Sequence, residues 1–356
     1  MASLDGKTKG NIQGVGGGKV LRKGVLRHLA FCCLAAFLCI AASACGKAAS
    51  GEEGQRYAWP LGTASPEDTV TQIYAEAFAA EVGRLSDGKM KIQVYPNSTL
   101  GGDRELLESC QDGDIPFVIQ NTAPQVAFMP DLAVFDMPCM FRTMEEVRQK
   151  VDEENFYSLM KSVYLEGGFQ LLGYADQGFR VMSTNRQVQS FGDFKGQKVR
   201  TMENSYHIDF WKALSAAPTP MTFSEVYIGL QQGTIDAQEN PYEVIVSNRL
   251  YEQQDYVVET NHLPHLISLV VSDSFFQGLP APKQEILMNA AKYASEEARK
   301  ASDERISEKM KEITSSGTQI VTVGEELWEE MREASRPVYG EIEKAVKPEI
   351  IKAYKE

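Results

Sequence analysis

Gly196-Gln197-Lys198-Val199-Arg200-Thr201 reads as a turn glycine running into a short strand, Lys198 to Thr201. Ser205 to Leu214 follows with helical spacing, and Ser224 caps a short helix that ends at Gly233. Ile235 to Gln238 is then a strand, leading into Glu239-Asn240-Pro241. Strand, helix, helix and strand in succession imply an α/β sheet.

The same alternation extends outward in both directions. Upstream, Arg56 to Pro60 reads as a strand, and Ser65-Pro66-Glu67-Asp68 as a helix start with a cap, a first-turn proline and acids. Val70, Ile73, Tyr74, Ala77, Phe78 and Leu85 keep helical spacing, so that helix buries one face. Strands are expected at Lys89 to Tyr95, Ile115 to Ile119, Phe169 to Tyr174 and Phe179 to Ser183. Helices are expected at Asp103 to Cys110 and Glu145 to Leu165. Downstream, Leu266 to Ser272 is an apolar strand, and one long helical pattern runs from Pro282 to about Thr314. It lacks sustained heptads and reads as a brace across two lobes. A strand at Gln319 to Val323 and a helix from Glu325 end the chain.

Length and charge set outer limits. The chain has 356 residues, 24% of them charged, with 36 Lys+Arg against 49 Asp+Glu and a net charge of −13. At roughly 100–200 residues per domain, two domains are expected. The acidity excludes a nucleic-acid binder, which needs a basic face. The charge is unevenly spread: residues 1–44 hold Asp5 against six Lys and Arg, which makes them +5 and leaves −18 for the rest. Lys19 to Arg27 is basic, and Leu29 to Ala42 is an apolar run too short for a spanning helix, which needs roughly 20 residues. Ala42-Ser43-Ala44-Cys45-Gly46 resembles a bacterial lipobox, although Leu is commoner where Ala42 stands. Residues 1–44 therefore read as a lipoprotein signal peptide with a polar upstream extension. Cys45 is the expected lipidation site, and 45–55 a small-residue tether. Cys110 and Cys139 sit in apolar contexts and read as buried free thiols.

Signatures of catalysis are missing. The sequence has no HExxH, no G-x-S-x-G and no phosphate-binding G-x-x-x-x-G-K-[ST]. His262 and His265 are three apart, but Pro264 between them breaks the helix that would align two metal ligands. They read as structural or surface histidines, and His207, beside Tyr206 and Trp211, as packing. No cofactor, metal or nucleic acid is implied, and the chain is read as not an enzyme.

Eight stretches, in order, carry a resemblance. They are Tyr95-Pro96-Asn97, Leu100-Gly101-Gly102-Asp103-Arg104-Glu105, Phe135-Asp136-Met137-Pro138, Gly178-Phe179-Arg180, Gly196 to Arg200, Pro218-Thr219-Pro220-Met221, Phe223 to Tyr227, and Leu230-Gln231-Gln232-Gly233 running into Asp236 to Pro241. Together they resemble the solute-binding subunits of tripartite ATP-independent periplasmic (TRAP) transporters, DctP type. Ala237 departs from the family's usual glycine after Asp236.

The resemblance implies a two-lobe periplasmic-binding-protein-like fold, a Venus flytrap with crossing strands and a long interlobe helix. Lobe I would take 56–177 and about 266–305, and lobe II 178–265 and about 306–356. Arg200 would clamp a ligand carboxylate, since a guanidinium fork matches two carboxylate oxygens. Arg180 would be a second basic residue, contacting the ligand or pairing with an internal carboxylate. Phe223 would stack on the ligand. Asn240 would hydrogen-bond it or cap the helix after Pro241. Asn121 and Asp103 would lie on the first lobe's side of the cleft, with Trp59 at its rim. Glu203 stands where sialic-acid-binding members carry an amide. It would repel a second carboxylate and accept hydroxyls, favouring a uronate or aldonate over a dicarboxylate, unless it points away or neutralises Arg180.

The implied partners are a small organic acid and the small and large permease subunits, with membrane contact only through the lipid at Cys45. The implied location is the periplasm or cell surface. A ligand-presenting sensor and an exported hydrolase on the same scaffold are the alternatives.

Overall fold

The computed structural model describes residues 57–356. The expected signal peptide, tether and lipidation site at Cys45 lie outside them. Eleven strands are described: β1 Tyr57–Gly62, β2 Met90–Tyr95, β3 Phe117–Asn121, β4 Phe169–Phe179, β5 Val181–Thr184, β6 Lys198–Thr201, β7 Ala217–Pro220, β8 Ala237–Asn240, β9 Tyr256–Glu259, β10 Pro264–Ser272 and β11 Gln319–Thr322. They form a five-stranded sheet in the order β2-β1-β3-β10-β4 and a six-stranded sheet in the order β11-β9-β5-β8-β6-β7. Helices pack on both, giving a two-lobe α/β fold.

Ahead of the C-terminal helices, three segments pass between the lobes. β4 in the first sheet continues through Arg180 into β5 in the second. The chain returns from β9 through Leu263 into β10. The helix Ala281–Ser315 buries Leu287, Ala290, Ala294 and Ala298 in the first core, and its Ile306, Met310 and Ile313 meet the second. The small residues of its first half let the helix lie close to β4: a Cβ on Gly173 would come 2.5 Å from Ser295 Oγ. The long brace expected from the apolar spacing is thus present and spans both lobes. Among the described residues no helix is long and apolar enough to cross a membrane.

Several local expectations change. The first helix runs Val70–Leu85 with Thr69 as its cap, not from Ser65. Thr69 Oγ1 donates to the Pro66 carbonyl at 2.7 Å, so Ser65 to Asp68 form the lead-in turn. The pattern Glu145 to Leu165 is two helices, Met144–Asp152 and Glu154–Glu166, split where Glu153 is extended at ψ 125°.

The C-terminal part of the expected second lobe is also redistributed. Val338, Ile342, Val346, Ile350 and Tyr354 instead pack in the first lobe, on the face of its sheet opposite the long helix, where Tyr354 meets Phe135 edge-on at 5.8 Å. Only the preceding helix, Glu325–Ala334, buries Leu327, Trp328 and Met331 in the second lobe. The amphipathic spacing shows that the last helices bury a face; it does not say against which sheet.

Candidate functional site

The carboxyl ends of β1, β3, β6, β7 and β8 converge where the lobes face each other. Loops at the carboxyl ends of strands are where open α/β sheets place ligands. The cleft here has an outer chamber of about 350 Å³ and an inner recess of about 40 Å³. Ala64, Asp103, Arg200, Met202 and Phe223 line both.

Arg200 is the last residue but one of β6, where it stands opposite Gln238 on β8 and Thr219 on β7. Its side chain is 2% exposed. Nε and Nη2 both donate to the Met221 carbonyl, at 3.1 and 2.7 Å, and the guanidinium carbon lies 5.9 Å from the Phe223 ring centre. Among the described residues it has no carboxylate in ion-pair range. Burial lowers its pKa to about 10, so it remains a cation at neutral pH. Buried charges are normally paired, because an unpaired one forfeits its hydration.

The first lobe supplies Asp103 and Asn121. Gly101, at φ 130°, turns the chain into the helix Asp103–Asp112, and a Cβ there would come 2.9 Å from that of Glu105. Asp103 is half-buried at the start of this helix. Removal from water raises its pKa to about 6, against the pull of Arg200. Asn121 ends β3 and caps the next turn, its carbonyl accepting from Ala123 N (3.0 Å) and its Nδ2 donating to Leu266 O (3.0 Å).

Asn240 and Phe223 stand on the second lobe's side. Asn240 lines the inner recess, its carbonyl accepting from Arg180 (3.1 Å) and its Nδ2 donating to Gln238 Oε1 (2.7 Å). Glu203 is exposed and lines the outer chamber beside Glu105.

Two expected positions differ. Arg180, 1% exposed, is not among the cleft-lining residues. It forks onto Glu239, with Nη2–Oε1 at 2.9 Å and Nε to Oε2, and Nη2 also reaches the Glu239 carbonyl at 2.6 Å. Its Nη1 donates to His265 Nδ1. The internal-carboxylate alternative thus describes its contacts, and Arg180 backs the cleft rather than walling it. Burial alone would raise the Glu239 carboxyl, but Arg180, His207 and His262 hold it well below the usual range. Trp59 belongs to the first core, not the rim, and meets Phe275 edge-on at 5.0 Å. Alternate residues of a strand face opposite sides, so Trp59 and Leu61 share the face of β1 that packs with Val70, Phe78 and Leu287.

Sequence reading missed other lining residues. Glu105 lay within a quoted motif, but nothing in its spacing set it apart. Ser98 and Thr222 come from loops, Ser224 from the single turn Phe223–Glu225, and the Met221 carbonyl carries no side-chain signal. His265, read as structural or surface, lines the inner recess at 5% exposure. His262 is structural: it stacks on Phe210 at 5.1 Å and meets Glu239 at 3.1 Å. Cys110 and Cys139 are buried free thiols, as expected, and burial pushes both to about 12. Among the described residues no group of His, Cys, Asp and Glu is arranged to hold a metal ion.

The site can hold an anion at Arg200 and accept hydrogen bonds from hydroxyls at Asp103, Glu105 and Glu203. Comparison with known proteins agrees with a binding cleft. Residues 61–345 match the model of bacterial extracellular solute-binding protein, family 7 (DctP). A solute-binding protein of Verminephrobacter eiseniae is 34% identical over 251 residues, 70% of this chain and 74% of that protein. Two solved TRAP periplasmic solute-binding proteins are similar in fold. That of Polaromonas sp JS666, bound to D-erythronate, has a TM-score of 0.80 and 30% identity, covering 84% of this chain and 98% of the other. That of Shewanella oneidensis, with bound succinate, has a TM-score of 0.80 and 27% identity, covering 84% and 98%.

Proposed function

We propose, for a chain that belongs to the DctP family of bacterial extracellular solute-binding proteins, that it captures a hydroxylated mono-acid of the aldonate or uronate type. It would deliver that acid to a TRAP membrane permease without transforming it. The observation that carries this reading is the buried, carboxylate-free guanidinium of Arg200 facing a cleft. A ligand carboxylate supplies the missing partner through two charge-assisted hydrogen bonds, each worth roughly 1.5–3 kcal/mol.

The outer chamber supports the choice among acids. Asp103, Glu105 and Glu203 line it, so a second carboxylate would meet like charge, whereas hydroxyls find acceptors. The D-erythronate complex of the Polaromonas protein is consistent with this, and the succinate complex of the Shewanella protein marks the competing class. A ligand touching Asp103 and Asn121 on one side and Arg200 and Asn240 on the other stabilises the closed arrangement of the lobes.

Export and tethering by lipid at Cys45 complete the reading: the acid is bound outside the membrane and passed to the permease's small and large subunits. A thermal-shift screen across aldonates, uronates, dicarboxylates, keto acids and amino acids tests it. Binding linkage predicts a melting temperature that climbs with the concentration of the matching acid. No shift with any acid overturns the carboxylate clamp; a shift with succinate alone overturns the choice of ligand class.

A further inference from the structure

His265 sits at a register break: in the pairing of β10 with β4, Pro264 lies opposite Phe179 and Leu266 opposite Asp176. Bulges of this kind re-aim side chains, and here the imidazole lines the inner recess. Its Nδ1 faces Arg180 Nη1. A guanidinium only donates, so Nδ1 is an unprotonated acceptor and a neutral ring must carry its proton on Nε2. Burial, and then the Arg180 charge, hold its pKa well below the usual value, which keeps the ring neutral. Nε2 has no hydrogen-bond partner among the described residues, and it is absent from the fully enclosed unpartnered atoms.

The recess around it is rich in donors. Asn121 and Asn240 each have their carbonyl occupied and one amide hydrogen spent, leaving one donor apiece. Arg200 has three N–H groups beyond the two given to Met221. Asp103 is the one carboxylate lining the recess. About 40 Å³ admits only a few small polar groups, at roughly 10–15 Å³ of such volume per water. That suits an acid head, and the adjoining chamber, which shares Asp103 and Arg200 with the recess, has room for a polyol chain.

We propose that His265 is a specificity-determining residue, presenting Nε2–H to the hydroxyl on the ligand carbon next to the carboxylate. Arg200 takes the carboxylate, the 2-hydroxyl accepts from His265, and its own hydrogen goes to Asp103. Glu239 fixes Arg180, Arg180 fixes the imidazole tautomer, and the tautomer selects an acceptor. This rests on the acid-binding reading above.

Two measurements test it. Long-range proton–nitrogen correlation spectra of the ¹⁵N-labelled ligand-free chain, assigned with H265Q, should show His265 neutral with Nε2 protonated. A charged ring or an Nδ1–H tautomer overturns the proposal whatever the ligand. Titration calorimetry then compares D-erythronate with 3,4-dihydroxybutanoate, which lacks the 2-hydroxyl. The wild type should prefer D-erythronate by about tenfold or more, the cost of leaving a buried donor unpaired. H265L should lose that preference, and H265Q, which keeps an amide donor, should retain most of it. Equal preference in wild type and H265L overturns the role of His265 while leaving the acid-binding reading intact. If neither acid binds the wild type, with no thermal shift from other acids, both fall.

Discussion

Arg200 gives two N–H groups to a single acceptor, the carbonyl oxygen of Met221, at 3.1 Å from Nε and 2.7 Å from Nη2. That contact pins one edge of the guanidinium and leaves the Nη1/Nη2 edge for a second, bidentate partner. The arrangement is a preformed fork, held by backbone rather than by another charge.

Arg200 should therefore have opposite effects on affinity and on stability. Removing one partner of a buried charged pair costs about 2–5 kcal/mol, so Arg200→Ala should abolish measurable binding of any weakly held acid and greatly weaken the best one. The ligand-free protein should meanwhile melt no lower with Arg200→Met, because an unpaired buried cation is replaced by an apolar side chain of similar length. Calorimetry and thermal denaturation read the two effects. Unchanged affinity in Arg200→Ala would remove the residue from the site.

Glu203 should set the choice between mono- and dicarboxylates. It is exposed at the mouth of the outer chamber, free to meet the far end of a ligand. Glu203→Gln keeps the shape and an acceptor but drops the charge. Succinate should gain relative to D-erythronate, by roughly 0.2–1 kcal/mol for an exposed charge pair. A ratio of affinities that does not move would show that Glu203 plays no part in selection.

Reading the sequence located the cleft better than it located which residues wall it. Arg180 and Arg200 are the same residue type, each at a strand end, each in a family motif. What separates them is that Glu239 lies against one and not the other, and that depends on tertiary pairing. Trp59 illustrates the same limit, since a strand's two faces are equivalent until the covering helices are placed. Strong periodicity was legible: the helix expected from Pro282 to about Thr314 runs Ala281–Ser315. β7 was missed because Pro218 and Pro220 argue against a strand, yet it lies at the sheet edge, where a missing N–H is tolerated. His265 was hidden by the irregular register that aims it.

Asp103 should make the ligand-free protein lose stability as pH rises. Its folded pKa is raised to about 6 from an ordinary value of 3.8, so between those values the folded state holds the proton more tightly. Stability then falls as pH climbs through that window, and the loss persists above it. Asp103→Asn should flatten this part of the profile and raise the melting temperature at pH 7 relative to wild type. A variant equally or less stable than wild type at pH 7, with an unchanged slope from pH 4 to 6, would refute this.

His207 should control a second window with its own sign. It lies on the second lobe's helix Ser205–Ala213, and its Nε2 meets Asp136 of the first lobe at 3.0 Å. Burial opposes its charge, but Asp136 and then Glu239 push its pKa to about 9 from an ordinary value of 6.5. The raised value means the contribution is fully present below about 6.5 and lost as pH rises through about 9. Its size is on the order of 3 kcal/mol, because each tenfold gain in proton affinity corresponds to about 1.4 kcal/mol. Asp103, half-ionised at about 6, and the thiols of Cys110 and Cys139, which ionise near 9 when unfolded but stand at about 12 in the fold, lower stability in the same direction, so His207 is read from the difference between variant and wild type. Because the pair joins the two lobes, its loss should also loosen their closure. Urea unfolding of the wild type should give a lower free energy at pH 9.5 than at pH 6, and His207→Gln should reduce that difference by its own share, on the order of 3 kcal/mol. If the variant keeps the full wild-type slope between those pH values, the buried pair with Asp136 is not its source.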